Sequence, residues 1–442
     1  MSSTTQMVVA LVISIIVLVL LLVKSNLNAF TALIIGGLLT GILGGLSPIK
    51  TVDALKTGFG NTMASLGILI AFGVMIGKVL EVSGATAAMG KKFVAVLGKG
   101  HEVLAMILTG FVTSLAIFCV PAFLMLFPLA KDISKRTGTS ISALGIGLAG
   151  GLLWSHELVP PASGPLGGAA LFNANISGNM ILGFLVGIPM IIFVNFYAKW
   201  IGKKYHRVAE DADESALENT ADAKEPSFTL SIMPILIPIV LILLAGALKT
   251  TPMNGTLSST IQFVGSPVVA LGLGLLIGVL TLLHGVDRKK VAAALDDGIV
   301  NGGKTLVLIA AGGALGNVVN ESGAGNIIAK GIAHTGLPAI LVPFIIASLL
   351  RIIQGSGTVA IFTTASITAP MVATLGINPI LANIAACVGA MVFSYFNDSY
   401  FWAINDSIGA TSTKEQMMNW SVPTTVCWLI GGIELLILNV FI

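Results

Sequence analysis

Apolar runs of about 20 residues, long enough to cross a bilayer as helices, recur along nearly the whole chain. In hydrocarbon each backbone polar group must find its partner within the protein, so such a sequence folds as packed helices. Only 10% of the 442 residues are charged, against roughly 25% in soluble domains. The expected fold is an all-α polytopic membrane protein. The first apolar run, roughly residues 7–23, lacks a basic start and a small-residue cleavage site. It is expected to stay as a first span and not to leave as a signal peptide.

Several function classes drop out. No basic cluster is interleaved with aromatics, so no nucleic-acid partner is expected. No Walker A sequence is present, and the five histidines show no metal-ligand spacing. Neither cofactor nor metal is therefore expected. Cys119, Cys387 and Cys427 all lie in apolar runs and read as packing residues. The AGGALG at 311–316 follows no strand, so it is not a nucleotide fingerprint. A membrane enzyme built on His156, Glu157 and Ser163 fits no nucleophile elbow.

The chain divides into a first half, 1–207, an acidic linker, 208–227, and a second half, 228–442. The halves resemble each other. AFGVMIGKVLEVSGA (71–85) and AAGGALGNVVNESGA (310–324) share seven of fifteen positions, and GLLTGIL (37–43) answers GLLIGVL (274–280). With the linker placed in the cytoplasm, roughly 18 of the 23 lysines and arginines fall inside, as the positive-inside rule asks. That placement needs an odd number of crossings per half, so the two repeats are expected to be inverted. Spans are expected at 61–81 (after a polar interfacial stretch, 49–59), 103–130 with a break at Cys119–Pro121, 139–154, and 177–202. Each half should hold one re-entrant hairpin and one broken helix, an arrangement that points to a transporter site at the bilayer midplane.

The polar interruptions name candidate residues. Within RIIQGSGTVAIFTTASITAP (351–370), Arg351 could hold a carboxylate through two parallel hydrogen bonds. Gln354, Gly355, Ser356, Gly357 and Thr358 should form a hairpin tip where backbone approaches an anion and hydroxyls meet a polyol. Asn397, Asp398 and Ser399 interrupt another apolar span. Asp398 is either a proton carrier or the partner of Arg351. His156 and Glu157 lie in SHELVPPASGP (155–165) and could relay a proton. Pro160, Pro161, Ser163 and Gly164 should break that helix, with Ser163 and Gly164 near substrate. Asn317, Asn320 and Glu321 are expected to cap and pack.

LLRIIQGSGTVAIFTTASI (349–367), ESGAG (321–325), SYFNDSYFW (394–402), FPLAKDISKRTGTS (127–140) and the 155–165 segment occur in the order seen in the gluconate permease family, which this chain resembles over nearly its whole length. The resemblance implies a sugar-acid:proton symporter in a bacterial inner membrane. It also implies the inverted-repeat fold of the wider ion-transporter superfamily, with a scaffold domain that dimerises and a transport domain that moves as an elevator. The expected partners are a small hydroxylated carboxylate, a proton, the lipid bilayer and a second copy of the chain. Glycerate, a four-carbon sugar acid or D-serine, and sodium coupling, are the alternatives. Two departures matter. Val120 stands where gluconate-type members carry an aspartate, and Ala162-Ser163 replaces a His-Pro. Glu157, where the family often has an apolar residue, is expected to substitute for the missing acid.

Overall fold

The computed structural model describes residues 3–24, 27–209, 226–248, 256–284, 286–323 and 338–442. The described residues are helical throughout, in agreement with the composition. In chain order the helices are α1 (Ser3–Lys24), α2 (Ala29–Leu43), α3 (Pro48–Val82), α4 (Ala85–Leu97), α5 (Glu102–Thr113), α6 (Cys119–Thr137), α7 (Ile141–Leu158), α8 (Ser163–Leu171) and α9 (Ile176–Lys204). The second half gives α10 (Phe228–Leu248), α11 (Thr256–Val264), α12 (Pro267–Leu282), α13 (Arg288–Ser322), α14 (Leu341–Gln354), α15 (Gly357–Leu375), α16 (Pro379–Gly389) and α17 (Ser399–Ile408). A short α18 (Thr413–Gln416) runs through a π turn, Met417–Ser421, into α19 (Val422–Phe441). Six of these helical stretches are long and apolar enough to cross a membrane. Most of the acidic linker lies outside the described residues.

Lengths pair across the chain. α3 and α13 each have 35 residues, α6 and α15 each have 19, and α9 and the stretch Thr413–Phe441 each have 29. The shared SGA sequence marks the same event twice. Gly84 (φ +70°) and Gly323 (φ +73°) turn the chain out of α3 and α13 through left-handed backbone that suits glycine.

Three element boundaries differ from the expectation. Residues 49–59 are not a separate interfacial segment but the first turns of α3. Thr51, Ala54, Leu55 and Gly58 are buried at helical spacing, while Lys50, Asp53 and Lys56 point outward. The break in 103–130 falls at residues 114–118. Cys119–Pro121 opens α6, where a proline in the first turn removes no helical bond. The span expected at 139–154 continues to Leu158, so His156 and Glu157 sit on helix and the break begins at Val159. The Pro160–Pro161 bond in that break is cis.

α3 and α13 pack along each other at glycines. A Cβ on Gly58 would lie 2.3 Å from the Gly313 carbonyl oxygen. α5 crosses α7 in the same way, since a Cβ on Gly151 would lie 2.0 Å from the Ile107 carbonyl oxygen. Small residues let helix backbones approach where lipid offers no hydrophobic drive between helices. Every residue of α7 is buried, which its glycine- and leucine-rich, all-round apolar sequence permits. Arg207, at the end of the first half, forms a bidentate pair with buried Glu415 (2.6 and 3.0 Å), tying α9's exit to α18.

Candidate functional site

Two helix pairs turn back within the protein. α14 ends at Gly355 (φ +77°), Ser356 follows, and α15 starts at Gly357. The Ser356 hydroxyl accepts from the Val359 N–H (3.4 Å) as an N-cap. Gly355 is required twice over: by its left-handed backbone, and because a Cβ there would lie 2.2 Å from the Asn397 carbonyl oxygen. The other pair, α5 and α6, is joined by residues 114–118. The Ser114 hydroxyl donates to the Ile117 carbonyl (3.0 Å) inside that turn. The turn meets α3 closely, since a Cβ on Gly77 would lie 2.3 Å from the Ala116 carbonyl oxygen.

Both turns, the end of α7 and the break before α17 meet in one chamber of about 300 Å³. Phe118, Cys119 and Val120 come from the start of α6, and His156 and Glu157 from the end of α7. Arg351, Gly355, Ser356, Gly357 and Thr358 come from the α14–α15 turn, and Asn397, Asp398, Ser399 and Tyr400 from the break before α17. Ten of the thirteen expected site residues thus line one cavity. Gln354 ends α14 and its side chain lies outside the described residues. Ser163 lines a smaller void on the other side of His156, with Ser114 and Phe118. Gly164 packs against Ile361 and is not part of the chamber wall.

The charges are arranged unevenly. Arg351 Nη2 donates to Asp398 Oδ2 at 2.6 Å, both residues being buried. The same oxygen takes the Ser394 hydroxyl, and Asp398 Oδ1 accepts the Tyr400 N–H (2.9 Å) as the N-cap of α17. Asp398 is therefore fully engaged, while Arg351 keeps a buried Nε with no partner among the described residues. Glu157 is 4% exposed, and its Oε2 is buried with no partner among the described residues. It presses on the first residue of α15, where a Cβ on Gly357 would meet Glu157 Oε1 at 2.3 Å. His156 Nδ1 is likewise unpartnered, and its ring lies 5.3 Å from that of Phe118. Half-buried Val120 adds no polar group.

The break before α17 also latches the turn. Asn397 Nδ2 (2.9 Å) and the Tyr395 hydroxyl (2.8 Å) both donate to the Ile352 carbonyl, one of the carbonyls a helix end leaves unpaired. Tyr395 and Ser394 were not singled out by spacing; the signal that could have found them is the SYFNDSYFW repeat of aromatics around the acid. Among the described residues, no group of three or more His, Cys, Asp or Glu is arranged to hold a metal ion.

A buried polar chamber between two chain-reversing turns and two helix ends has room for a small ligand. A model of the GntP family permeases matches residues 6–441. The chain belongs to the GntP permease family. It is 40% identical to an uncharacterized permease of Haemophilus influenzae, over 98% of this chain and 92% of that one. It is 32% identical to the high-affinity gluconate transporter of Escherichia coli K12, over 98% and 99% of the two chains. Among solved structures, MtrF of Neisseria gonorrhoeae superposes with a TM-score of 0.66 at 17% identity, over 94% of this chain and 96% of that one, and shares the fold. As a GntP permease the protein is a multi-pass membrane transporter and not an enzyme.

Proposed function

We propose that the protein is a proton-coupled symporter of a small hydroxylated carboxylate, gluconate or a related sugar acid. In this reading its two halves are inverted repeats, and its transport domain moves as an elevator against a scaffold that dimerises. The carrying observation is the chamber, which unites Arg351, whose Nε no described residue bonds, Glu157, whose buried Oε2 no described residue bonds, and a hydroxyl-lined helix start. Relatives that carry gluconate support the substrate class. Equal helix lengths across the halves support the duplication.

The substrate carboxylate faces Arg351 and the start of α15, and its hydroxyls face Ser356, Thr358, Asn397 and Ser399. Arg351 and Asp398 neutralise each other. With Glu157 ionised the chamber is net negative, and an entering carboxylate is repelled. At about 5 Å and an effective dielectric of about 20, that repulsion is about 3 kcal/mol, or about a hundredfold in binding. A proton on Glu157 removes it, so proton and substrate stabilise the same loaded state, as symport requires. Asp398 suits this role less, because Arg351 Nη2, the Ser394 hydroxyl and the Tyr400 N–H already donate to its two oxygens.

The test is uptake of labelled gluconate into proteoliposomes. Uptake should rise with an inward acid gradient and be indifferent to sodium. Uptake driven by sodium with no pH gradient would overturn proton coupling. No uptake or exchange of any hydroxy acid in a panel of four- to six-carbon compounds would overturn the substrate class.

A further inference from the structure

A second polar hollow, about 360 Å³ in volume, opens between α3 and α13 on one side and α8 and α15 on the other. It is separate from the chamber and shares no lining residue with it. Along α15, its wall residues Ala365 to Pro370 lie 8 to 13 positions beyond Gly357. At about 1.5 Å per residue that is about 12–20 Å away. α8 leads there as well, from Ser163 beside His156 to Asn173 just past its end.

The lining chemistry is specific. Asn61, Asn173, Asn317 and Asn320 bring four carboxamides from three separate segments. Asn317 spends both amide hydrogens, on the Ala54 carbonyl (2.9 Å) and Glu321 Oε1 (3.0 Å). Its carbonyl oxygen is thereby oriented as an acceptor. The side chains of Asn61, Asn173 and Asn320 are exposed and make no hydrogen bond among the described residues, so their donors and acceptors are free to meet an occupant. Gly58 and Gly313, where α3 and α13 touch, and Gly316, close against Ser366, form the floor between the asparagines. Among the described residues no lysine or arginine lines it, so none of them would neutralise a carboxylate or phosphate there. Thr62, Ser65 and Ser366 add hydroxyls to the carboxamides, so an acyl chain is a poor occupant.

We infer that this hollow is a second binding site, for an uncharged polyhydroxylated chain. Carboxamides donate and accept at once and match hydroxyls that do the same. The volume suits a small ligand. An occupant touches both α3/α13 and α8/α15, so its affinity depends on how those pairs sit against each other.

The test uses purified protein in detergent and reads no transport, so it stands apart from the proposed function. Asn61→Cys and Asn320→Cys, each made with Cys119→Ser because Cys119 lines the chamber, are reacted with a maleimide, with and without sorbitol as a neutral hexitol; Cys387 and Cys427 are buried. Sorbitol should slow labelling at both positions at least threefold. It should leave exposed Lys50→Cys and chamber-lining Thr358→Cys unchanged. Adding Asn320→Ala to the Asn61→Cys protein should reduce the protection. Unchanged rates at both hollow positions would overturn the site. So would equal slowing at Thr358→Cys, which would mean a ligand in the chamber or a general closure.

Discussion

Glu157 and Gly357 touch across the two halves of the chain, the carboxylate of one lying where the other's side chain would be. Position 357 therefore admits only a hydrogen. Gly357→Ala should displace Glu157 and cost about 1–3 kcal/mol by overpacking. Thermal unfolding of the purified variant checks the stability. Uptake should fall further than the stability loss alone explains, because the chamber's acid has moved. An alanine variant with normal uptake would show that the contact is incidental.

Glu157→Gln keeps the shape and removes the titration. Exchange of substrate across the membrane should persist, because a neutral side chain imitates the protonated state. Accumulation driven by an acid-outside gradient should disappear. Counterflow and gradient-driven uptake, measured on the same vesicles, separate the two. A variant that still concentrates substrate on a pH gradient would move the proton to another group.

Arg351 and Asp398 should fail together more gently than apart. Removing one member of a buried ion pair leaves a bare charge and costs about 3–5 kcal/mol. Arg351→Ala and Asp398→Ala should each show that loss, Asp398→Ala the larger because it also caps α17 and accepts from Ser394. The double variant should lose less than the sum. Simple additivity in unfolding experiments would mean the pair is not coupled.

The Ile352 carbonyl has two donors, so one is dispensable. Asn397→Ala or Tyr395→Phe alone should cost about 1 kcal/mol. Together they strip the carbonyl, and the combined loss should exceed the sum. Protease or hydrogen-exchange sensitivity at 352–358 is the readout that locates the effect.

Arg207→Ala should destabilise the protein by about 1–3 kcal/mol, less than the Arg351 change because Arg207 is partly exposed. Glu415 would be left buried and unpaired. Arg207→Lys should recover only part of that loss, since an ammonium cannot make the bidentate contact.

The α14–α15 turn is legible in the sequence because a Gly-Ser-Gly in an apolar run has few other uses. The first turn is not. Proline at 121 looks like the breaker, yet the first turn of a helix tolerates it, and the chain reverses at 114–118 instead. Glu157 reads as loop because prolines follow closely, but burial of α7 on every side keeps the helix going past it. Polar residues at 50–56 suggest a separate interfacial piece, whereas their helical spacing continues α3. The carboxamide hollow draws on three distant segments, and no single segment announces it. Only Asn61, Thr62 and Ser65, a polar stripe at helical spacing in an apolar helix, hint at it.

α3 and α13 are each 35 residues long, which makes rods of about 52 Å. The hydrocarbon slab is about 30 Å thick. Such rods have to lean or project, and because they grip each other at glycines they do so as one beam. Acyl-chain length thus becomes a setting on this protein: a thinner or thicker bilayer would change the beam's pitch, and with it the angle at which α15 and α2 lie against it.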